Sequence, residues 1–294
     1  MNYYNEIKDR LVKKEVSRKV REYYSNKNDL TTYYEVGKLL SEAGKHYGEG
    51  IIKEYSIRLE NEINKRYNIS SLKRMRQFYQ LIQKGAPLAH QLTWSHYQEL
   101  LSIKDINEIN YYINISINQS LSRNNLRKKI KEKEYQRLSF ETRNKMINND
   151  KLEITDYIKD PILLNKKHEY NKISEYALKE IIMNDLDNFL KQLGNGFCYI
   201  GNEYKIKVGD SFNFIDILLF NIMFNCYVVV ELKITKLTKQ DIGQIMIYMN
   251  YVNENIKTLN QDKTIGIIVC RENNKYLIKY STDLRIHAVT YELI

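Results

Sequence analysis

The residues best suited to chemistry lie in CYVVVELKITK, residues 226–236, where an apolar run leads into Glu231, Leu232 and Lys233. A carboxylate and an ammonium at the end of a strand bound for the core are costly to bury without partners. The preceding apolar run, FNFIDILLFN (212–221), carries Asp216. A hairpin turning near Ile222–Phe224 sets Asp216 about opposite Glu231, and cross-strand neighbours have Cβ atoms about 4.5–5.5 Å apart. Strand alternation puts Tyr227, Val229, Glu231 and Lys233 on one face and Val228, Val230 and Leu232 on the other. Two carboxylates this close suit a hard divalent ion such as Mg²⁺, whose remaining ligands would be a backbone carbonyl, waters and a phosphate. Such an ion polarises a phosphate and acidifies a bound water. Lys233 would orient that water or neutralise charge building at phosphorus.

The tripeptide alone is weak evidence. Glu-x-Lys recurs at Glu6–Lys8 and Glu203–Lys205, and a strand-end Glu and Lys are ordinarily a solvated pair. Asp216 is more telling, because an acid flanked by apolar residues on both sides needs a partner. Lys233 or backbone N–H groups would serve as well as a metal.

These residues need a sheet and covering helices. Residues 173–194 read as a helix stopped by Gly194, followed by strands over 197–208, 212–221 and 226–234. A helix over 238–256 has Ile242, Ile245, Met246, Met249 and Val252 as its apolar stripe. The continuous apolar run TIGIIVC (264–270) has the character of a central strand, and KYLIKYS and HAVTYEL extend the strand order. Helix, strands, helix, strands is the order of an α/β layered domain.

The first half reads as helices instead. Residues 52–67 place Ile52, Tyr55, Leu59, Ile63 and Tyr67 at helical spacing, and Ser70 or Ser71 is a candidate cap for a helix over 72–84. Another helix follows Thr93, and residues 105–138 hold two more, the second strongly basic. The stretch 139–171 shows no sustained periodicity and contains Pro161, which marks it as a connection. The expected domains are thus 1–138, a connection over 139–171, and 172–294.

Charge follows the same division. Residues 1–150 carry 28 Lys and Arg against 18 Asp and Glu, a net of +10, whereas 151–294 carry 18 of each. The entire basic excess lies in the helical half, as in a nucleic-acid-binding module joined to a neutral one. Lys73, Arg74, Arg76 and Lys84 stand on one short helix, as in a helix-turn-helix reader. Arg123, Arg127, Lys128, Lys129, Lys131 and Lys133 form a second cluster that could track phosphates. Either cluster taken singly reads equally as a solvated helix face.

Other chemistry is poorly supported. The five histidines have no metal-binding spacing, and His96 reads as a structural hydrogen-bonder. No phosphate-cradling G-x-x-x-x-G-K-[ST] occurs, which removes the usual case for ATP-driven work. The polar opening MNYYNEIKDR lacks a secretory pattern, and Asp216, Asn221, Asn225 and Glu231 interrupt the most apolar window, so no membrane span is expected. Three widely spaced cysteines without C-x-x-C fit the reducing cytoplasm.

The stretches FLKQLGNGFCYIG, FNFIDILLF, CYVVVELKITKLTKQDIGQIMIYMNYV and TIGIIVC resemble the YhcG-like branch of the PD-(D/E)XK nuclease superfamily. SSLKRMRQFYQL and LTWSHYQELLSI resemble that branch's first domain, described as winged-helix-like. The resemblance implies an α+β protein with a helical, winged-helix-like N-terminal domain and a restriction-endonuclease-like α/β/α C-terminal domain. It implies a nuclease using Mg²⁺ or Mn²⁺, with Asp216 and Glu231 as metal ligands, Lys233 as the motif lysine and Gln244 supporting the site. Ile215 stands where the motif has proline. Glu180 takes the place of an acid sometimes supplied by the opening helix, and an ordinary exposed helix residue is its other reading. Tyr248, i+4 from Gln244, either lines the cleft or simply packs.

DNA is the expected partner, and analogy with nucleases that cut two strands suggests a homodimer. Two other readings stand beside this one. A catalytically silent DNA-binding scaffold with partner proteins of a mobile element or defence locus has no need of all three charged residues. A nuclease acting on RNA would have the same basic surface.

Overall fold

The computed structural model describes residues 3–48, 50–62, 65–166, 173–279 and 283–294, with the backbone alone for 3–19, 21–23, 46, 47, 275 and 279. The chain divides into two compact units, Met1–Tyr135 and Gln136–Ile294.

The first unit contains α1 (Tyr3–Tyr47), α2 (Ile51–Glu62), α3 (Ile69–Gln83), α4 (Trp94–Leu100), α5 (Ile106–Asn118) and α6 (Arg123–Lys131). Ile63 of the expected 52–67 stripe lies outside the described residues. The cap of α3 is Asn68 rather than Ser70 or Ser71, its side chain accepting the Ser71 N–H at 3.0 Å. Asn and Ser cap helices about equally well, and capping from Asn68 brings Ile69 and the serines into the first turn. Leu72, Met75, Phe78 and Leu81 then form the buried face of α3. A methyl group on Gly37 of α1 would meet the Met75 carbonyl oxygen at 2.1 Å, so α1 and α3 cross with backbones nearly touching. His96 has the structural role its setting suggests: Nδ1 pairs with the Thr93 hydroxyl at 2.8 Å and Nε2 with the Leu121 carbonyl at 2.9 Å. Among the described residues of this unit there is no strand, so the expected winged-helix-like character has its helices but no β-hairpin wing.

The second unit contains α7 (Phe140–Asn148), β1 (Ile162–Leu164), α8 (Glu175–Asn184), α9 (Leu186–Leu193), β2 (Phe197–Val208), β3 (Ser211–Asn221), β4 (Cys226–Lys236), α10 (Lys239–Asn255), β5 (Asp262–Glu272), α11 (Lys275–Lys279) and β6 (Ile286–Leu293). The expected single helix over 173–194 breaks at Asp185 into α8 and α9. KYLIKYS begins as the short helix α11 rather than a strand, and its residues 280 and 281 lie outside the described ones.

The reading of 139–171 as a connection is corrected. Its described part, to residue 166, is folded into the second unit, with Ile154, Ile158, Ile162 and Leu164 buried in the core. The apolar residues are carried by a 3-10 turn and a three-residue strand, elements too short to leave a period in the sequence.

The six strands run in the order β1-β6-β5-β4-β3-β2. Strands β2, β3 and β4 pair antiparallel, while β4, β5, β6 and β1 pair in parallel. The parallel β4–β5 step requires a crossover, and α10 supplies it. Side chains alternate between two apolar layers. Ile217, Leu219, Val228, Val230, Leu232, Ile267 and Val269 pack with α8 and α9, whereas Leu218, Val229, Ile268 and Cys270 pack with Ile245, Met249 and Val252 of α10. A sheet covered on both faces explains why β4 and β5 read as continuous apolar runs. At Gly266 of β5 an added methyl would meet Met249 Sδ at 2.6 Å, so α10 lies directly on the strand there.

Candidate active site

The turn between β3 and β4 sets the register on which the site depends. Asn221 is fully buried; its side chain donates to the Asn195 carbonyl at 3.0 Å and accepts the Met223 and Phe224 N–H groups at 3.0 and 3.2 Å. From this turn the ladder runs from Asn221↔Cys226 to Ile217↔Val230. One step further, Asp216 stands across from Glu231 as the hairpin reading requires, but the strands no longer exchange backbone bonds. The Asp216 carboxylate takes over instead, its Oδ2 accepting the Leu232 N–H at 3.0 Å.

Glu231 is 2% exposed. Its Oε2 lies 3.6 Å from Lys233 Nζ and accepts a hydrogen bond from Gln244 Nε2 at 3.2 Å, while Oε1 is buried without a hydrogen-bond partner. Burial, together with the charge of Asp216, pushes the Glu231 carboxyl up to about 8; Lys233 and the Asp216 backbone N–H, which approaches the carboxylate without the geometry of a full hydrogen bond, offset this only in part. For Lys233, burial works against the charge, but Glu231, Glu175, Asp241 and Asp216 outweigh it and hold the ammonium above its ordinary range. The carboxylates around Lys233 thus favour its charged form.

Gln244 is aimed by the start of α10. Thr238 caps that helix, its N–H donating to Asp241 Oδ2 at 2.8 Å in a capping box. Gln244 also donates to the Tyr248 hydroxyl at 3.0 Å. Tyr248 is buried and belongs both to the packing and to the shell around Glu231.

The opening helix differs from expectation. Glu180 is exposed and accepts a hydrogen bond from Tyr176 Oη at 3.2 Å. Its neighbour Lys179 faces the site, with Nζ 2.9 Å from Asp216 Oδ1 and 3.2 Å from Glu203 Oε1. A helix turns about 100° per residue, so when Lys179 faces Asp216, Glu180 points away. Glu175, four residues before Lys179 and on the same helix face, is the acid of α8 whose charge reaches Lys233. Lys179 and Glu203 were not singled out in the sequence: one is an unremarkable helix lysine, the other part of a Glu-x-Lys that the spacing gave no reason to select.

Among the described residues no group of three His, Cys, Asp or Glu is placed to hold a metal. Asp216 and Glu231 nevertheless fit a divalent cation at the level of chemistry. They are two carboxylates at one sheet end, and a buried carboxylate oxygen without a partner is what a cation would satisfy.

The basic clusters divide. On α3, Lys73, Arg74 and the C-cap Lys84 are exposed, while Arg76 turns inward so that its guanidinium lies near Gly44. In the second cluster, Arg123 and Arg127 pair with Glu99 at 2.7 and 2.8 Å, Lys128 with Glu132 at 3.6 Å, and Lys129 with Glu134 at 2.7 Å. Those four charges are largely matched within the unit.

Comparison with known proteins agrees with this geometry. Residues 155–293 match the model of the YhcG PDDEXK nuclease domain, and residues 6–137 match that of the DUF1016 N-terminal domain. YhcG of Escherichia coli (strain K12), which bears the provisional name of nuclease, is 25% identical over 285 residues, covering 82% of this chain and 76% of that protein. Two solved structures share low similarity. A repair endonuclease from Pyrococcus abyssi has a TM-score of 0.31 and 19% identity over 42% of this chain. An EndoMS–dsDNA complex has a TM-score of 0.29 and 17% identity over 44% of this chain. The match spans 49% of each of those chains. No described helix is long and apolar enough to cross a membrane. With the nuclease-domain model on the unit that holds Asp216, Glu231 and Lys233, and the companion model on the helical unit, the chain belongs to the YhcG-like family of PD-(D/E)XK nucleases.

Proposed function

We propose that this protein is a cytoplasmic, divalent-metal-dependent DNA endonuclease that hydrolyses phosphodiester bonds at Asp216, Glu231 and Lys233. The observation that carries the reading is Glu231 Oε1, a carboxylate oxygen buried without a hydrogen-bond partner beside a second carboxylate and the Lys233 ammonium. Several buried polar atoms among the described residues are left without a partner, and this is the one carboxylate oxygen among them.

Asp216 and Glu231 would hold Mg²⁺ or Mn²⁺. When bound, the ion would polarise the scissile phosphate and acidify a water. Lys233, kept protonated by the acids around it, neutralises charge at phosphorus and orients the attacking water. Gln244 fixes the Glu231 rotamer, and Tyr248 fixes Gln244. Affinity for the polyanion comes from the basic excess of residues 1–150, with Lys73, Arg74 and Lys84 of the α3 region as phosphate contacts. Arg123, Arg127, Lys128 and Lys129 contribute less, because carboxylates already partner them. Cutting both strands takes two such sites, so a homodimer accompanies this reading.

The test incubates wild type and Glu231→Ala with linear duplex, branched and single-stranded DNA and with RNA, in Mg²⁺, in Mn²⁺ and in EDTA. Metal-dependent cutting of DNA that is lost in Glu231→Ala is the expected result. Binding without cutting of any substrate would make the protein a scaffold, and cutting confined to RNA would reassign its substrate.

A further inference from the structure

One charged group next to the site has no part in the chemistry assigned above. Lys179 of α8 is half-buried, its side chain 15% exposed, and it bridges two carboxylates, Asp216 at 2.9 Å and Glu203 at 3.2 Å. Glu203 comes from the edge strand β2. It falls between the pairs Asn202↔Ile217 and Tyr204↔Ile215, which puts its place in the ladder across from Asp216. Its φ is +48°, a left-handed conformation unfavourable for a glutamate. A strained backbone next to a catalytic strand is a feature that surrounding contacts must maintain, and Lys179 is the contact on its side chain.

The consequence for Asp216 is that both of its oxygens are engaged, Oδ1 by Lys179 and Oδ2 by the Leu232 N–H. Catalysis with two metal ions needs carboxylates enough to hold ions about 3.5–4 Å apart. Here the acid nearest to Asp216 on β2, Glu203, is 61% exposed and pairs with the same lysine, and a second dication beside that ammonium would meet strong like-charge repulsion. We propose that Lys179 is a built-in counter-charge: it holds Asp216 before metal binds, occupies the electrostatic place of a second ion, and limits the site to one divalent ion. This rests on the nuclease reading for the metal itself, but the role of Lys179 is separable from it.

The experiment is Mn²⁺ titration of the full chain without nucleic acid, by calorimetry and by the electron paramagnetic resonance signal of free Mn²⁺. Wild type, Lys179→Met, Lys179→Arg and Glu231→Ala are compared. Wild type should bind one Mn²⁺ per chain, and Lys179→Met should bind Mn²⁺ about tenfold or more tightly, because a unit charge close to the ion has been removed. Lys179→Arg should restore wild-type affinity, and Glu231→Ala should lose binding. Two ions per wild-type chain, both lost in Glu231→Ala, would overturn the proposal. So would equal affinity in wild type and Lys179→Met with binding lost in Glu231→Ala, which would leave the nuclease reading standing. Absence of Mn²⁺ binding by both wild type and Lys179→Met would overturn both.

Discussion

Glu99 in the first unit and Glu231 in the second are both carboxylates beside cations, but they are completed differently. Glu99 receives hydrogen bonds from Arg123 Nε at 2.7 Å and from Arg127 Nε and Nη2 at 3.0 and 2.8 Å. The Arg127 hydrogen bond, against some desolvation, holds its carboxyl below the usual range. Glu231 has one lysine at 3.6 Å and a buried oxygen without a partner, and burial pushes it up to about 8. One cluster is closed by its own side chains. The other is left incomplete, at a cost to folding that a ligand could repay. Charge content alone does not distinguish the two clusters; what differs between them is their state of completion.

The comparison can be broken at several points. Its largest expected effect is Lys233→Met, which removes the ammonium beside Glu231. Single-turnover cleavage should fall about 10²–10³-fold while DNA binding, measured by fluorescence anisotropy, is unchanged. Gly266→Val comes next, because even a first methyl would meet Met249 Sδ at 2.6 Å and Ile245 Cδ1 at 2.8 Å. It should destabilise the second unit by about 1–3 kcal/mol in urea unfolding. Asn221→Ala removes the side chain that holds the β3–β4 turn. It should cost on the order of 1–2 kcal/mol in the same assay and reduce cleavage with it, since the turn sets the register of Asp216 against Glu231.

A smaller effect sharpens the contrast through pH. With its folded pKa raised, Glu231 binds more protons in the folded than in the unfolded state between the ordinary carboxylate range and about 8. Its contribution to stability is present at low pH and lost as pH rises through that window. Glu99 has the opposite sign: its folded pKa is lowered, so its contribution is lost as pH falls. In EDTA, melting temperatures of Glu231→Gln should decline less than those of wild type from about pH 5 to about pH 9. Equal slopes would show that Glu231 is not buried with its proton.

Much of the site was legible because β-strands have a fixed period of two. Once the hairpin turn fell near Ile222–Phe224, Asp216 had to stand across from Glu231, with Lys233 one step along the same face. Gln244 was named by the family resemblance and not by the apolar stripe of α10, which marks only the buried face. The opening helix was harder: its period identifies a face but not the rotation of that face relative to a site on another element, so Glu180 stood with two readings, while the α8 residue that contacts Asp216 is Lys179. Glu203 was hidden because its position depends on a register shift in β2 between Tyr199 and Gly201 and on a left-handed residue, neither of which leaves a pattern. The partners of the second basic cluster were hidden for a related reason. Sequence counts charges, whereas pairing of Arg123 and Arg127 with Glu99 spans 24 and 28 residues.

The most direct measurement applies the same charge-removing change to both clusters and reads cleavage of duplex DNA in Mn²⁺. Glu231→Gln should cut no more than the EDTA control, and Glu99→Gln should cut at least as fast as wild type. Wild-type cutting by Glu231→Gln, or equal loss of cutting in both folded variants, would contradict the assignment of catalysis to the incomplete cluster.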